Sequence, residues 1–184
     1  MNTKAEATIE DLYHVPENGK AEIVDGELVT MSPTGWLPNY AAGEIFARLR
    51  EYAKLTGLGR AVTDNAGFIV NLPSRRSFSP DAAFFTGQTR GMKFIDGAPL
   101  FAVEVRSEDD YGPAAERKIA LKIADYFAAG TQAVWDVDLL GEDVVRSYGA
   151  GNPESPAIYR RGQMADAGPA LPGWSMPVDE LFPE

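Results

Sequence analysis

Asp81 stands in FSPDAAFF (78–85) and Glu104 in PLFAVEVRS (99–107), two runs otherwise dominated by apolar, β-prone residues. A carboxylate in such a run is costly unless something pairs with it. Strand alternation puts Phe101, Val103 and Val105 on one face and Ala102, Glu104 and Arg106 on the other, so Glu104 points away from the apolar face. Pro80 directs Asp81 to a strand edge or bulge, where a side chain can be re-aimed. Two carboxylates on neighbouring strands can hold a hard divalent cation, usually Mg²⁺, which takes few protein ligands and keeps several waters. Such an ion polarises a phosphoryl oxygen and acidifies a water. On spacing alone the plainer reading is stronger: both acids paired with arginines at strand ends.

The helix that follows adds a third group. In AAERKIALKIADYFAAG, Ala115, Ile119, Ile123, Tyr126 and Phe127 form an apolar stripe, and Lys122 lies within it. Lys118 is less enclosed. A lysine on the inner side of a helix either snorkels outward or reaches the carboxylates. There its ammonium could orient an attacking water or steady charge on a phosphate.

Other polar residues have plainer readings. Across a hairpin Glu22 shares a face with Val24 and Val29, an odd place for a free acid. A structural hydrogen bond, a metal ligand and a lysine partner all fit it. Glu44 points opposite the Ile45/Phe46/Leu49 stripe and reads as solvated. Asn39 reads as a helix N-cap, His14 as a surface or boundary residue, and Trp135 as core. Asp136 and Asp138 read as surface or sheet-end partners.

These groups need elements to position them. AEIVDGELVTMS (21–32) predicts a hairpin turning at Asp25-Gly26, the dipeptide a type I′ turn prefers. Residues 1–19 read as a lead-in, a short helix and a turn; 32–39 as a loop; 40–57 as an amphipathic helix capped by Gly57 and Gly59. Strands follow over 61–72 (broken near Gly67), 78–85 and 99–107, then a helix over 113–129 and strands over 131–138, 142–149 and 157–162. The tail, 163–184, carries Trp174, Met176, Leu181 and Phe182 and is expected to pack. The strand–helix–strand unit over 99–138 implies a parallel pair with a helical crossover. The fold class is therefore α/β: a mixed sheet flanked by helices, with an N-terminal β-hairpin.

The chain of 184 residues suits one domain with one core. The absence of cysteine removes thiolate zinc sites and cysteine nucleophiles, and a lone histidine argues against His-rich metal sites and Ser-His-Asp catalysis. The net charge of −10 argues against a general nucleic-acid coating protein. It leaves room for an enzyme with a local basic groove, and Arg75, Arg76, Arg90 and Lys93 flank the first carboxylate strand. No run is long and apolar enough for a membrane span, and MNTKAEATIEDLYHV lacks a signal-peptide core, which predicts a cytoplasmic location.

SPD (79–81), AVEVRSEDDYGPAAERK (102–118) and KIADYFAAGTQAVWDVD (122–138) together resemble the PD-(D/E)XK nuclease superfamily, and within it the Uma-type restriction endonucleases. AEIVDGELVTMSP and LPGWSMPVDELF are similar to that family's opening and closing segments, and the resemblance spans roughly residues 10–183. It implies a restriction-endonuclease-like core and Mg²⁺-dependent phosphodiester cleavage, with Mn²⁺ as a substitute ion. Asp81 and Glu104 correspond to the metal-holding acids, and Glu22 to a recurring glutamate of the opening strand. The lysine usually found two positions after the second acid is Arg106 here; Lys122, on the next helix, is the matching lysine. An arginine can clamp phosphate but is a poor base.

The leading expectation is a metal-dependent endonuclease acting on DNA. Asp81 and Glu104 hold the ion, Lys122 positions water, and Glu22 and Arg106 support them. Duplex cleavage favours a homodimer. The alternatives are a non-catalytic interaction module on the same fold and a metal phosphoesterase for a small molecule.

Overall fold

The computed structural model describes residues 6–15 and 19–184. The turn expected before the hairpin falls partly on 16–18, outside the described residues. A short helix α1 (Ile9–Tyr13), closed by a Thr8/Asp11 capping box, precedes the hairpin β1 (Lys20–Val24) and β2 (Glu27–Met31). The turn residues Asp25 and Gly26 both have positive φ, at 48° and 74°, as the dipeptide predicts.

Helix α2 (Trp36–Thr56) begins four residues earlier than its apolar periodicity suggests. Gly35, not Asn39, is its N-cap, and Asn39 lies inside the first turn, donating its N–H to Gly35 O. Pro38 makes this segment look like a loop, yet a first-turn proline forfeits no helical hydrogen bond. Gly57 ends the helix with φ 67°, the left-handed cap that favours glycine.

The strands β3 (Arg60–Thr63), β4 (Phe68–Ile69), β5 (Ser77–Phe78), β6 (Ala82–Phe85), β7 (Ile95–Asp96) and β8 (Phe101–Val105) follow. Helix α3 (Pro113–Ala128), with proline in its first turn, crosses over to β9 (Ala133–Val137); then come β10 (Val145–Gly149), β11 (Asn152–Tyr159), β12 (Met164–Asp166) and β13 (Ser175–Pro177). The main sheet runs β11-β10-β9-β8-β6-β3; β8 and β9 are parallel, as the crossover requires, and the other neighbours are antiparallel. The chain has a mixed α/β fold.

Two differences from the sequence reading have plain causes. The last long strand starts at Asn152, so it includes Pro153 and Pro156; β11 is an edge strand, where a missing N–H costs no ladder bond. The break near Gly67 sends β4 into a separate sheet, β5-β4-β7, whose β7 has no legible pattern in two residues.

Each face of the main sheet has its own core. Ala42, Ile45, Leu49 and Tyr52 of α2 cover Phe101, Val103 and Val105, joined by Trp174, Met176 and Leu181 from the C-terminal segment. Ile123 and Tyr126 of α3 cover the other face with Phe68, Phe78 and Ala102. The alternation read from β8 is the one observed, and it turns Glu104 toward α3.

Candidate active site

Asp81 occupies the bend between β5 and β6. Its backbone N–H donates to Val103 O at 3.0 Å, and its Oδ2 accepts the Val105 N–H at 2.8 Å. The carboxylate is thereby held over the strand that carries Glu104. Asp81 Oδ1 receives Lys20 Nζ at 2.9 Å, and the same ammonium donates to Asp64 Oδ1 at 2.6 Å.

Glu104 is met from α3. Lys122 Nζ donates to its Oε2 at 2.8 Å and the Tyr126 hydroxyl to its Oε1 at 2.6 Å. Lys122 and Tyr126 sit one turn apart, so one helix face delivers both donors. Lys122 Nζ also lies 3.0 Å from Glu22 Oε1. Glu22 is buried; its Oε2 accepts from Arg75 at 2.6 Å and its Oε1 from the Ser79 N–H at 2.8 Å. Arg75 Nε continues to Asp125 Oδ2 at 2.8 Å. Glu104, Lys122, Glu22, Arg75 and Asp125 therefore form one chain of alternating charge.

That chain shifts the acids in opposite directions. Burial pushes Glu104 up to about 7, with the Asp81 and Glu22 carboxylates adding to it and Lys122 opposing. Burial also disfavours charged Glu22, but Lys122, Arg75 and the Ser79 N–H more than offset it and hold Glu22 below the usual range. Lys122 loses solvation on burial, yet Glu104 and Glu22 raise it above an ordinary lysine, so it stays an ammonium.

Lys20, Asp81, Glu104, Lys118 and Lys122 line one cleft of about 780 Å³. Whether a divalent cation suits this cleft turns on donor chemistry. No group of three His, Cys, Asp or Glu arranged to hold a metal occurs among the described residues. Mg²⁺ needs less, binding through one or two carboxylates with water and substrate phosphate completing its shell. The Asp81 and Glu104 side chains, 13% and 22% exposed, supply that pair. Burial leads the upward push on Glu104 and the Asp81 and Glu22 carboxylates add to it, so a bound cation would favour its ionised form. The donor set fits Mg²⁺ or Mn²⁺.

Arg106 also lines the cleft but makes none of these contacts. Its guanidinium grips Asp136 through two bonds of 2.7 Å and reaches Glu116 in the first turn of α3. Asp136 is 1% exposed, so it pairs at the sheet end as read but is not a surface residue. Asp138 is buried too, accepting from the Tyr111 hydroxyl and the N–H groups of Leu140 and Gly141. His14 is exposed and Trp135 buried, its indole N–H donating to Asp166 O. Glu44 is half-buried on α2.

Sequence reasoning brings Asp81, Glu104, Lys122 and Glu22 together, and the structure joins them. It overlooked Lys20, Asp64 and the Tyr126 hydroxyl. Tyr126 was legible, because a tyrosine four residues after Lys122 carries its hydroxyl along the same face. Lys20 was not, since pattern alone gives no sign of which groups the first residue of a strand meets.

The chain folds as a mixed sheet with α2 on one face and α3 on the other. It matches the crystal structure of "a putative nuclease" from Anabaena variabilis with a TM-score of 0.75, covering 96% of this chain and 97% of that one at 17% sequence identity, which establishes the fold. The family described as "Uma2: Putative restriction endonuclease" matches residues 7–179, and the chain belongs to that family. No curated protein matches it. Among the described residues no helix is long and apolar enough to cross a membrane.

Proposed function

We propose that this protein is a cytoplasmic, single-domain endonuclease that hydrolyses DNA phosphodiester bonds with Mg²⁺, for which Mn²⁺ substitutes. The observation that carries the reading is the convergence of Asp81, Glu104 and Lys122, from a bend, a strand and a crossover helix, on one cleft. Asp81 and Glu104 would hold the ion. When bound, it supplies Lewis acidity to a phosphoryl oxygen and to the attacking water.

The remaining work falls to the chain. Lys122 stays charged, so it donates hydrogen bonds and cannot take a proton from water; its part is to orient the nucleophile for in-line attack and to steady charge on the phosphate. Glu22 and Tyr126 fix the atoms around it. The water oxygen forms the new P–O bond as the bridging ester oxygen leaves, the water giving up its proton to solvent and the leaving oxygen taking one from solvent. Two chains, one per strand, would cut a duplex.

One feature favours a second reading, a non-catalytic interaction module. Every oxygen of Asp81 and Glu104 already accepts an internal hydrogen bond, so the site is satisfied without an ion. Calorimetric titration of Mn²⁺ into the parent chain and Asp81→Ala, followed by plasmid nicking, separates the two. Binding and nicking that both vanish in the variant support the nuclease. A folded parent that takes up no Mn²⁺ at millimolar concentration supports the module.

A further inference from the structure

Lys122 has a partner that explains it, but a second ammonium presses on the same acid pair. Lys20 Nζ lies 2.9 Å from Asp81 Oδ1 and 2.6 Å from Asp64 Oδ1, and its side chain is only 14% exposed. Burial disfavours its charge, yet Asp81, Asp64 and Glu104 together raise it above an ordinary lysine. The acid pair is therefore flanked by one lysine on each carboxylate.

The two lysines are held differently. Lys122 is fastened on its far side to Glu22, itself buried and fixed by Arg75 and the Ser79 N–H. Lys20 is fastened on its far side to Asp64, which is 30% exposed and follows the edge strand β3. Asp64 Oδ1 also accepts the Asn65 N–H at 2.8 Å, which sets its orientation. A divalent cation on Asp81 and an ammonium against the same oxygen repel each other strongly in a half-buried cleft. Lysine, a point charge on a flexible four-carbon stem, can move without losing its second partner.

We infer that Lys20 is a tethered counter-cation: it neutralises Asp81 in the metal-free chain and withdraws onto Asp64 when a divalent cation occupies Asp81 and Glu104. Asp64 is then a positioning residue that acts through Lys20. The inference rests on the metal-dependent reading above and adds a competitor built into the site, which sets how much divalent cation is needed to load it.

The test needs neither DNA nor turnover. Mn²⁺ is titrated calorimetrically into the full chain, Lys20→Met, Asp64→Asn and the double variant, and the Mn²⁺-induced rise in Tm is recorded for each. Lys20→Met should bind Mn²⁺ about tenfold more tightly than the parent, with a larger rise in Tm, because the competing charge is gone. Asp64→Asn should bind several-fold more weakly, and that loss should disappear in the Lys20→Met background, where no ammonium needs a place to go. Lys20→Gln, which keeps a donor without the charge, should also bind more tightly, and it serves if Lys20→Met folds poorly. Unchanged or weaker binding in the folded Lys20 variants overturns the inference. An Asp64→Asn loss of equal size in both backgrounds also overturns it, since Asp64 would then act by charge alone. A parent that binds no Mn²⁺ removes the metal reading itself, and this inference with it.

Discussion

Lys122 Nζ lies 2.8 Å from Glu104 Oε2, joining the crossover helix to the strand before it. The same ammonium lies 3.0 Å from Glu22 on the hairpin. One side chain thus couples its own helix to the preceding strand and to a hairpin far off in sequence, and its position is both structural and chemical.

Lys122→Met should accordingly fail in two separable ways. Leaving Glu22 and Glu104 without their shared cation costs about 3 kcal/mol, the lower end of the range for breaking a buried pair, because solvent reaches the site. Nicking by the folded fraction should fall by about a hundredfold or more, the scale set by one lost electrostatic contact to the reacting group. Thermal melts and plasmid nicking measure the two effects. A variant that melts lower but nicks normally would leave Lys122 with a structural role only.

Glu104 and Glu22 should give opposite pH dependences in the metal-free chain. Glu104 is raised from 4.5 to about 7, so its contribution to stability is complete below 4.5 and is lost as pH rises through about 7. Glu22 is depressed below 4.5, so its contribution is present above that value and is lost as pH falls beneath it. In chelator-treated samples, the Tm advantage of the parent over Glu104→Gln should shrink between about pH 5 and about pH 8. Its advantage over Glu22→Gln should instead shrink as pH is taken from about 6 down to about 3. Parallel curves for the two variants would contradict the assignment.

Arg106 should behave as a structural clamp. Arg106→Met leaves Asp136 buried without its main partner and should cost about 3 to 5 kcal/mol. Arg106→Lys should recover only part of this, because an ammonium cannot make the two-pronged contact with Asp136. Denaturant melts measure both losses, and nicking per folded molecule of Arg106→Lys should match the parent. A selective loss of nicking would mean that Arg106 reaches phosphate after all.

Two glycines should respond to alanine with opposite signs. A Cβ on Gly59 would stand 2.5 Å from the Phe84 ring and 2.6 Å from Phe85 O, so Gly59→Ala should lose about 2 kcal/mol through overpacking. A Cβ on Gly43, inside α2, meets nothing within 4 Å, so Gly43→Ala should gain about 0.5 to 1 kcal/mol. Equilibrium unfolding of both variants checks the packing of α2 against β3 and β6.

Legibility follows the range of the forces involved. The Asp25-Gly26 turn, the α3 stripe and the alternation of β8 are local patterns, and each is found where the residues put it. The face of Glu104 was legible for the same reason. Boundaries failed where a local signal misled: Pro38 looked like a loop residue inside the first turn of α2, and Pro153 and Pro156 hid the start of an edge strand. The partners of Lys20 were out of reach, because Asp64 and Asp81 come near it only through the docking of the hairpin on the sheets. Arg106 shows the converse: its place in a resemblance suggested a supporting role, and in the structure it lines the cleft while its guanidinium bonds go to Asp136 and Glu116.

The hairpin that carries Lys20 and Glu22 is a two-stranded sheet of its own, tied to its neighbours by Asp25 N–H to Ser74 O at 2.8 Å, Arg76 N–H to Ile23 O at 3.0 Å and Ile23 N–H to Ser77 Oγ at 2.9 Å. If it lifts away as a unit, Asp81 loses one ammonium and Lys122 loses one carboxylate in the same event. Exchange of the hairpin amides with solvent and the charge state of the cleft then report a single opening equilibrium. Whatever fills the cleft and favours the docked hairpin should slow deuterium uptake across residues 20–31, including at positions that never touch it.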